Sequence, residues 1–377
     1  MNTISFQCSG VEQLEQQLSG RLPEGFRPQL AIVFSSIQHS LEPIRQVFLQ
    51  HQIDVIGCST AGEIVDGHLC EDAIAVLLMS LDKQAYRLVL EQFHDGDVYQ
   101  AAVRAGNAAK TWFSSPALLI LSGGFGIDAE ALVSGLKATL GNNCPIYGGL
   151  AGDGLRLDKT YAFTGHTLSS SGMAVLVFDT NKVSIQGLAI SGWEPVGGEN
   201  VITKADGNIV YDINGEPAYD VFTRYFGLTS TEKDNDSLIG LQTNYPFQFI
   251  REGGHSILRS PLLVDEKKRT IMLAASVQAG DKFRFSYSPG FEIIEQAIDA
   301  FGVFQESVPD TDAVVLFSCK GRHGAFGPLP EKEISGIYNM WKKPMAGFLS
   351  YGEIGNIGSG ACEFHNETCS LVLIKER

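Results

Sequence analysis

The sequence predicts an α/β fold of duplicated strand–helix–strand units around mixed sheets, with a mixed α+β middle segment, in two domains. Three observations support this prediction. Continuous apolar runs such as AIVF, ALLIL and AVVLF are typical of strands that are buried on both faces. Amphipathic stretches with apolar residues at helical spacing follow these runs. The same order of elements occurs three times along the chain.

Three segments share one plan: an apolar strand that ends in serine, a helix, a second strand, a glycine turn with an acid, and a last apolar strand. The first contains QLAIVFSS (29–36), DVIGCSTAGEI (54–64) and EDAIAVLLMS (71–80). The second contains PALLILSGGFG (116–126), CPIYGGLAGDG (144–154) and SGMAVLVFD (171–179). The third contains AVVLFSCKGRHG (313–324), KPMAGFLSYGEIG (343–355) and NETCSLVLIK (366–375). Because five elements recur in one order, we interpret the segments as repeats.

The spacing within the repeats agrees with a strand–helix–strand crossover. The serine precedes the first glycine of the turn by 22, 26 and 29 positions in the three repeats (Ser35 to Gly57, Ser122 to Gly148, Ser318 to Gly347). These separations leave room for a helix between two parallel strands. The stretch 183–312 differs from the repeats. It combines strand patterns such as DKFRFSYS with two helical patterns, PAYDVFTRYFGL and FEIIEQAIDAFGVF, and a polar segment at 229–244 that we expect to be a loop.

The composition excludes several classes of protein. The chain has 377 residues and a formal net charge of −15, with 44% hydrophobic and 19% charged residues. This balance excludes intrinsic disorder, and nucleic acid would meet a surface of its own sign. Seven scattered cysteines do not predict a disulfide framework. Because the apolar runs are too short to cross a bilayer and the start lacks a signal-peptide pattern, we expect a cytoplasmic protein that binds neither nucleic acid nor membrane.

The glycine turns are the candidate binding chemistry. Two of them, GCSTAGE (57–63) and GFLSYGE (347–353), have the spacing of a phosphate-binding loop, but glutamate replaces the lysine that such a loop requires. In one interpretation the glycines let the backbone approach a ligand, while Glu63, Asp153 and Glu353 accept its amine or hydroxyl protons. In the alternative, the glycines form turns and each acid binds amides of its own loop.

Other polar residues also have two interpretations. Arg322 follows a strand end, where it would clamp a carboxylate or form a structural ion pair. Cys58 or Cys319 would be a nucleophile only if a base lay within hydrogen-bond reach. The cluster of Cys362, His365 and Cys369 has three members and does not predict a structural zinc site.

Several motifs together resemble the FIST family of microbial signal-transduction proteins: IGCSTAGEI (56–64), IYGGLAGDG (146–154), ITKADGNIVYDINGEPAYDVF (202–222), VLFSCKGRHGAFG (315–327), MAGFLSYGEIG (345–355) and FHNETCSLVLI (364–374). The resemblance spans roughly residues 25–375. It implies a FIST N-terminal domain over 1–216 and a FIST C-terminal domain over 217–377. It also implies a sensory protein whose ligand is a small metabolite such as an amino acid.

The chain also resembles the bacterial nitric-oxide-sensing proteins called NosP, which bind haem and regulate a partner histidine kinase or cyclic-di-GMP enzyme. This resemblance implies that the protein binds haem b and a gaseous ligand. It also implies an output partner in trans, in the setting of a two-component system. A homo-oligomer is compatible with it. The alternatives are a sensor of amino acids or other metabolites without haem, a cysteine-dependent enzyme, and a scaffold that binds no ligand.

The family motifs carry candidate site residues to matching positions of this sequence. The expected ligand-binding or site-shaping residues are Gly57, Glu63, Gly148, Gly149, Asp153, Ser318, Cys319, Arg322, Gly352 and Glu353. If haem binds, His323 and His365 are the first candidates for its axial ligand, followed by His68 and His255. No catalytic residue and no metal other than haem iron is expected.

Overall fold

The computed structural model describes residues 1–124, 126–227, 245–251, 255–327, 329–356 and 362–377. The loop expected at 229–244 lies outside these ranges. The first repeat contains β1 (Asn2–Cys8), α1 (Val11–Gly20), β2 (Leu30–Ser36), α2 (Leu41–Gln50), β3 (Asp54–Thr60), β4 (Glu63–Val65), β5 (His68–Cys70) and β6 (Ile74–Ser80). The second contains β7 (Tyr86–Gln92), α3 (Val98–Trp112), β8 (Pro116–Ser122), α4 (Ala129–Leu140), β9 (Ile146–Leu150), β10 (Ala162–Thr164), β11 (Leu168–Ser169) and β12 (Gly172–Asp179).

The third repeat is interrupted by an inserted sheet. It begins with β13 (Val183–Ile190). The insert contains β14 (Glu194–Asp206), β15 (Ile209–Ile213), β16 (Glu216–Pro217), α5 (Ala218–Tyr225), β17 (Phe247–Ile250), β18 (Ser256–Arg259), β19 (Pro261–Asp265), β20 (Thr270–Leu273) and β21 (Lys282–Tyr287). The repeat then continues through α6 (Glu292–Ser307), β22 (Ala313–Cys319), α7 (Lys320–Gly324), α8 (Pro330–Trp341), β23 (Met345–Ser350), β24 (Glu353–Asn356), β25 (Cys362–His365) and β26 (Cys369–Glu376).

Three sheets of six strands have the same topology, which confirms the duplication. Their strand orders are β1-β6-β2-β3-β10-β11, β7-β12-β8-β9-β24-β25 and β13-β26-β22-β23-β4-β5. In each sheet the two central strands are parallel, and every other neighbouring pair is antiparallel. The helix between the parallel strands is the crossover that the spacing predicts.

Each repeat gives its short hairpin to the sheet of another repeat. The hairpin β4–β5 of the first repeat pairs with β23 of the third, β10–β11 of the second pairs with β3, and β24–β25 of the third pairs with β9. This cyclic exchange interlocks the repeats, because no sheet is complete without two strands from a different repeat. The glycine turns therefore lie where the chain leaves one sheet and enters the next.

One face of all three sheets packs into a common hydrophobic core. Phe34 and Phe348 contact each other there, with ring centroids 4.8 Å apart, and Phe317 packs against both. The other face of each sheet is covered by helices: α1 and α2 on the first, α3 and α4 on the second, α6 and α8 on the third. Burial on both faces explains why the central strands are continuous apolar runs.

The inserted sheet has its own core. Its strand order is β18-β17-β21-β14-β15-β20-β19, with β16 beside β15, and phenylalanines of β17, β21 and α5 fill its interior. Strand β13 differs from the sequence expectation, which grouped it with this middle segment. It pairs with β26 along its whole length and so belongs to the third repeat. Only alternate residues of β13 are buried, because it is an edge strand, and its sequence therefore lacks the continuous apolar run of the repeats.

Three glycines occupy the same position in the three sheets, opposite a backbone carbonyl of the neighbouring parallel strand. A Cβ atom at Gly148 would lie 2.1 Å from the carbonyl oxygen of Ile120, and one at Gly347 would lie 2.1 Å from that of Leu316. Gly57 holds the equivalent place in the first sheet. The glycines are thus required for the close approach of the paired strands.

Candidate functional site

The acids Glu63 and Glu353 begin the exchanged strands β4 and β24 and are fully buried. The carboxylate of Glu353 accepts hydrogen bonds from the hydroxyls of Ser350 (2.6 Å) and Thr368 (2.8 Å). Glu63 accepts the equivalent bond from the hydroxyl of Thr60. Both carboxylates are therefore occupied by donors of the protein itself, as the turn-chemistry interpretation expects.

Asp153 does not occupy the equivalent position in the second repeat. Pairing of the exchanged strands places Ala162 where Glu63 and Glu353 lie in their sheets, because residues 154–161 separate Asp153 from β10. The carboxylate of Asp153 instead accepts hydrogen bonds from the hydroxyl of Tyr351 (2.5 Å) and from amides of its own loop. It fixes that loop to the third repeat.

The predicted glycines also have packing roles at the crossovers. A Cβ atom at Gly149 would lie 2.9 Å from the ring of Phe317, and one at Gly352 would lie 2.4 Å from the ring of Phe364. Protein atoms thus fill the space beside each glycine that a ligand would need. The predicted ligand-binding role of these residues stays a prediction, and the contacts at the crossovers favour a structural one.

Replacing Glu353 with glutamine should change how stability depends on pH. Burial raises the pKa of Glu353 to about 8, although hydrogen bonds from Ser350 and Thr368 act in the opposite direction. Between pH 4.5, the value usual for a glutamate, and pH 8, the folded state keeps a proton that the unfolded state releases. The free energy of unfolding of the wild type should therefore fall relative to Glu353→Gln as pH rises, by up to about 1.4 kcal/mol per pH unit.

Urea unfolding of both proteins between pH 5 and pH 8 measures this difference. The exposed Glu24, which lies in the loop between α1 and β2, provides the control substitution Glu24→Gln. That variant should differ from the wild type by the same amount at every pH. A constant difference for Glu353→Gln as well would contradict the raised pKa.

Arg322 is buried and paired inside the protein. Its guanidinium binds the carboxylate of Glu333, also fully buried, with an N–O distance of 2.6 Å. It further donates to the carbonyl oxygens of Ser191, Glu367 (3.3 Å) and Ile293 (3.5 Å). These partners use its donors, so the structural ion pair is the interpretation that the contacts support.

The predicted haem-ligand candidates both have protein partners. Nε2 of His323 lies 2.8 Å from the hydroxyl of Ser318, and Nε2 of the buried His365 lies 3.1 Å from the carbonyl oxygen of Gly355. Burial lowers the pKa of both imidazoles to about 3, so both are neutral. Coordination of iron through Nε2 would have to break one of these hydrogen bonds.

Two cavities of the described residues lie away from both histidines. One, of about 600 Å³, is lined by His68 and Cys70 together with Glu71, Asp72 and Glu331. Its acidic wall would repel the propionate groups of haem. The other, of about 300 Å³, is lined by residues of the first and second repeats. The hydrogen bonds of His323 and His365 within the protein do not favour coordination of haem iron, and haem binding stays a prediction of the resemblance.

The predicted cysteines are also buried. Cys58 lies in β3 and Cys319 at the end of β22, and burial raises the pKa of each thiol well above its ordinary value. A nucleophilic cysteine needs the opposite shift. We therefore do not propose either thiol as a nucleophile.

A second group of polar residues meets where the inserted sheet touches the repeats. We call it the junction cluster: Glu130, Arg251, His255, Arg259 and His365. Glu130 lies in the first turn of α4, Arg251 and His255 flank the turn of the β17–β18 hairpin, Arg259 ends β18, and His365 ends β25. Three separate parts of the chain thus supply one site.

The charges of the junction cluster are unbalanced. Oε1 of Glu130 accepts hydrogen bonds from both Arg251 (2.6 Å) and Arg259, so one carboxylate serves two guanidinium groups. Arg259 is 1% exposed and donates hydrogen bonds of 2.9 Å to the carbonyl oxygens of Phe364 and Leu258. Its guanidinium carbon also lies 5.3 Å from the ring centroid of Phe364. Burial lowers the pKa of Arg259, and the neighbouring carboxylate of Glu130 acts in the opposite direction.

Several buried polar atoms of the junction cluster have no hydrogen-bond partner among the described residues. They are Nε of Arg251, Nε of Arg259, Nε2 of His255 and Nδ1 of His365. Leaving such an atom unpaired costs about 1–3 kcal/mol, so atoms of this kind usually face water or a ligand. Four such atoms lie in the junction cluster, where two guanidinium groups share one carboxylate.

The sequence pattern marked only part of this cluster. His255 and His365 were candidates for haem, whereas Glu130, Arg251 and Arg259 were missed. The signal available was the hairpin sequence FQFIREGGHSILRS (247–260), in which two arginines and a histidine flank apolar strand residues. Nothing in that pattern indicates that α4, more than 100 positions earlier, provides the shared carboxylate.

The protein thus combines three interlocked α/β repeats with an inserted sheet, and the junction cluster lies where the insert meets the repeats. The chain belongs to the FIST family. The FIST N domain matches residues 29–216 and the FIST C domain matches residues 218–356. The family is associated with sensing in signal transduction. The predicted division at 216/217 stays a prediction.

Relatives of similar length occur in mycobacteria. The uncharacterized protein Mb0898c of Mycobacterium bovis (strain ATCC BAA-935 / AF2122/97) is 24% identical over 375 residues, which cover 93% of this chain and 91% of the relative. The uncharacterized protein MT0656 of Mycobacterium tuberculosis (strain CDC 1551 / Oshkosh) is 24% identical over 368 residues, with 93% and 92% covered. The similarity thus extends through the repeats and the insert. In the described part of this chain, no helix has the length and apolar character needed to cross a bilayer.

Proposed function

We propose that this protein is a sensor that binds a small carboxylate-bearing metabolite, such as an amino acid, in the junction cluster. The observation that carries the proposal is that the buried Arg259 and the half-buried Arg251 share a single carboxylate. A carboxylate of the ligand would accept hydrogen bonds from the unpaired Nε atoms of Arg251 and Arg259. It would also supply the negative charge that Glu130 alone does not provide.

The position of the cluster supports a role in signalling. A ligand there would contact the β17–β18 hairpin of the insert, α4 of the second repeat and β25 of the third. Binding would therefore favour the conformation in which the insert is held against the repeats. A partner in trans, a histidine kinase or a cyclic-di-GMP enzyme, would respond to that conformation in the cytoplasm.

Thermal unfolding with a panel of metabolites tests the proposal. A ligand that binds only the folded state raises the melting temperature. At a ligand concentration of 100 times the dissociation constant, binding adds about 2.7 kcal/mol to the free energy of unfolding. Carboxylates should raise the melting temperature, and the corresponding amides, which lack the negative charge, should not. The absence of a shift with every carboxylate would contradict the proposal. A protein that takes up haem and shows a Soret band that nitric oxide moves would instead support the haem interpretation.

Replacing Arg251 should weaken the binding of whichever carboxylate gives the shift. Arg251 is chosen because its side chain is 32% exposed, so Arg251→Gln should leave the fold intact. Loss of one charged hydrogen bond should raise the dissociation constant at least about tenfold. The control is Arg284→Gln, an exposed arginine of β21 in the same sheet. Equal affinities of both variants would place the ligand elsewhere.

A further inference from the structure

A cavity of about 300 Å³ lies where the exchanged hairpin β10–β11 meets the first sheet, and none of its lining residues belongs to the junction cluster. We call it the seam cavity. Its walls come from the end of α2 with β3, from the short turn Lys83–Ala85 with β7, and from the turn of the hairpin. Leu49, Val55 and Leu88 form its apolar side. At roughly 30 Å³ for each water-sized group, it holds about ten non-hydrogen atoms.

The acid in the seam cavity is already neutralised. Asp54 accepts a hydrogen bond of 2.8 Å from the hydroxyl of Tyr86, and its carboxylate lies 3.2 Å from Nζ of Lys83. Tyr86 is buried, which fixes this arrangement against the wall of the cavity. Asp54 and Lys83 thus leave no net charge between them.

The remaining polar side chains of the seam cavity are Arg87, Thr164 and His166. Arg87 uses one terminal nitrogen for the carbonyl oxygens of Lys83 (2.7 Å) and Tyr86 (2.8 Å), which holds the guanidinium at the cavity. No carboxylate of the described residues forms an ion pair with Arg87. His166 lines the same cavity from the hairpin turn. The side chain of Arg87 is exposed, and its guanidinium carbon lies 5.8 Å from the ring centroid of Phe113.

We propose that the seam cavity is a second binding site, for a small monocarboxylate with a hydrocarbon body. The carboxylate would bind the free side of Arg87, with His166 as a further donor. The body would pack on Leu49 and Leu88, and the neutralised Asp54 would not repel the headgroup. The site is independent of the ligand proposed for the junction cluster, because the two share no residue.

Calorimetric titration of the full chain with octanoate tests this site. Octanoate has ten non-hydrogen atoms, which matches the volume of the cavity. It should bind more tightly than butanoate, by about fourfold for each additional methylene group that is buried. Octanol and octylamine, which have the same chain without the negative charge, should bind at least about tenfold more weakly. Equal binding of octanoate and octanol would overturn the assignment of the carboxylate to Arg87.

Substitution of Arg87 tests whether octanoate binds in the seam cavity or elsewhere on the protein. Arg87→Gln should raise the dissociation constant of octanoate at least about tenfold, since a charged hydrogen bond is lost. The control Arg21→Gln changes an exposed arginine at the end of α1 and should leave octanoate binding unchanged. Both variants should keep the thermal shift of any ligand that depends on Arg251. Unchanged octanoate binding by Arg87→Gln, or no octanoate binding by the wild type, would overturn the proposal.

Discussion

Substitution of Gly347 by alanine is expected to lower the free energy of unfolding by about 3 kcal/mol. The new Cβ atom would lie 2.1 Å from the carbonyl oxygen of Leu316 and 2.9 Å from the carbonyl carbon. Both atoms belong to the backbone of β22, which is hydrogen-bonded on both sides and buried. The strands can relieve the clash only by moving apart, and this movement breaks the pairing on which the third sheet depends.

Replacing a glycine of α6 by alanine should instead raise the free energy of unfolding. A Cβ atom at Gly302 would meet no atom within 4 Å, and its backbone is helical. Gly302→Ala should therefore raise the free energy of unfolding by about 0.5–1 kcal/mol, because alanine loses less backbone entropy in a helix. Urea unfolding of both variants measures the difference. Equal effects of the two substitutions would contradict the requirement for close approach at Gly347, and Gly148→Ala should repeat the result in the second sheet.

The sequence permits prediction of the repeated strands because their burial leaves a local signal. Residues 118–121 and 314–317 are apolar on both faces, since helices cover one face and the common core covers the other. The helices also leave a local signal, because each buries one apolar face against a sheet. The exchange of hairpins could not be predicted, because pairing of β4 with β23 joins residues almost 300 positions apart. A hairpin that paired within its own repeat would have the same sequence pattern.

The candidate site illustrates the same limit. The turn acid Glu353 was recognised from its spacing, but its interpretation depended on Thr368, which a linear motif does not connect to it. Arg322 was singled out from its position after a strand end, and the ion-pair alternative required a partner that the pattern could not name. The junction cluster depends entirely on tertiary contacts, since Glu130 lies in the second repeat and Arg259 lies in the inserted sheet. Charge and spacing identify polar residues, and only packing decides which of them share a site.

Removal of Glu333 should destabilise the protein strongly. Glu333→Leu would leave the guanidinium of Arg322 buried among carbonyl oxygens and the rings of Trp193 and Phe326, with no carboxylate bound to it. Breaking a buried ion pair by removing one partner costs about 3–5 kcal/mol, because the remaining charge is neither solvated nor paired. Arg322→Met should cost less than Glu333→Leu, since a buried carboxyl group can take up a proton whereas a guanidinium keeps its charge.

The double variant Arg322→Met/Glu333→Leu distinguishes an ion pair from simple packing. It removes both charges, so it should be more stable than Glu333→Leu alone. Recovery should be incomplete, because the carbonyl oxygens of Ser191 and Glu367 lose their donor. The exposed pair Arg224–Glu216, with side chains 62% and 52% exposed, is the control, and Glu216→Leu should leave stability nearly unchanged. Additive effects of the two core substitutions would show that Arg322 and Glu333 do not stabilise each other.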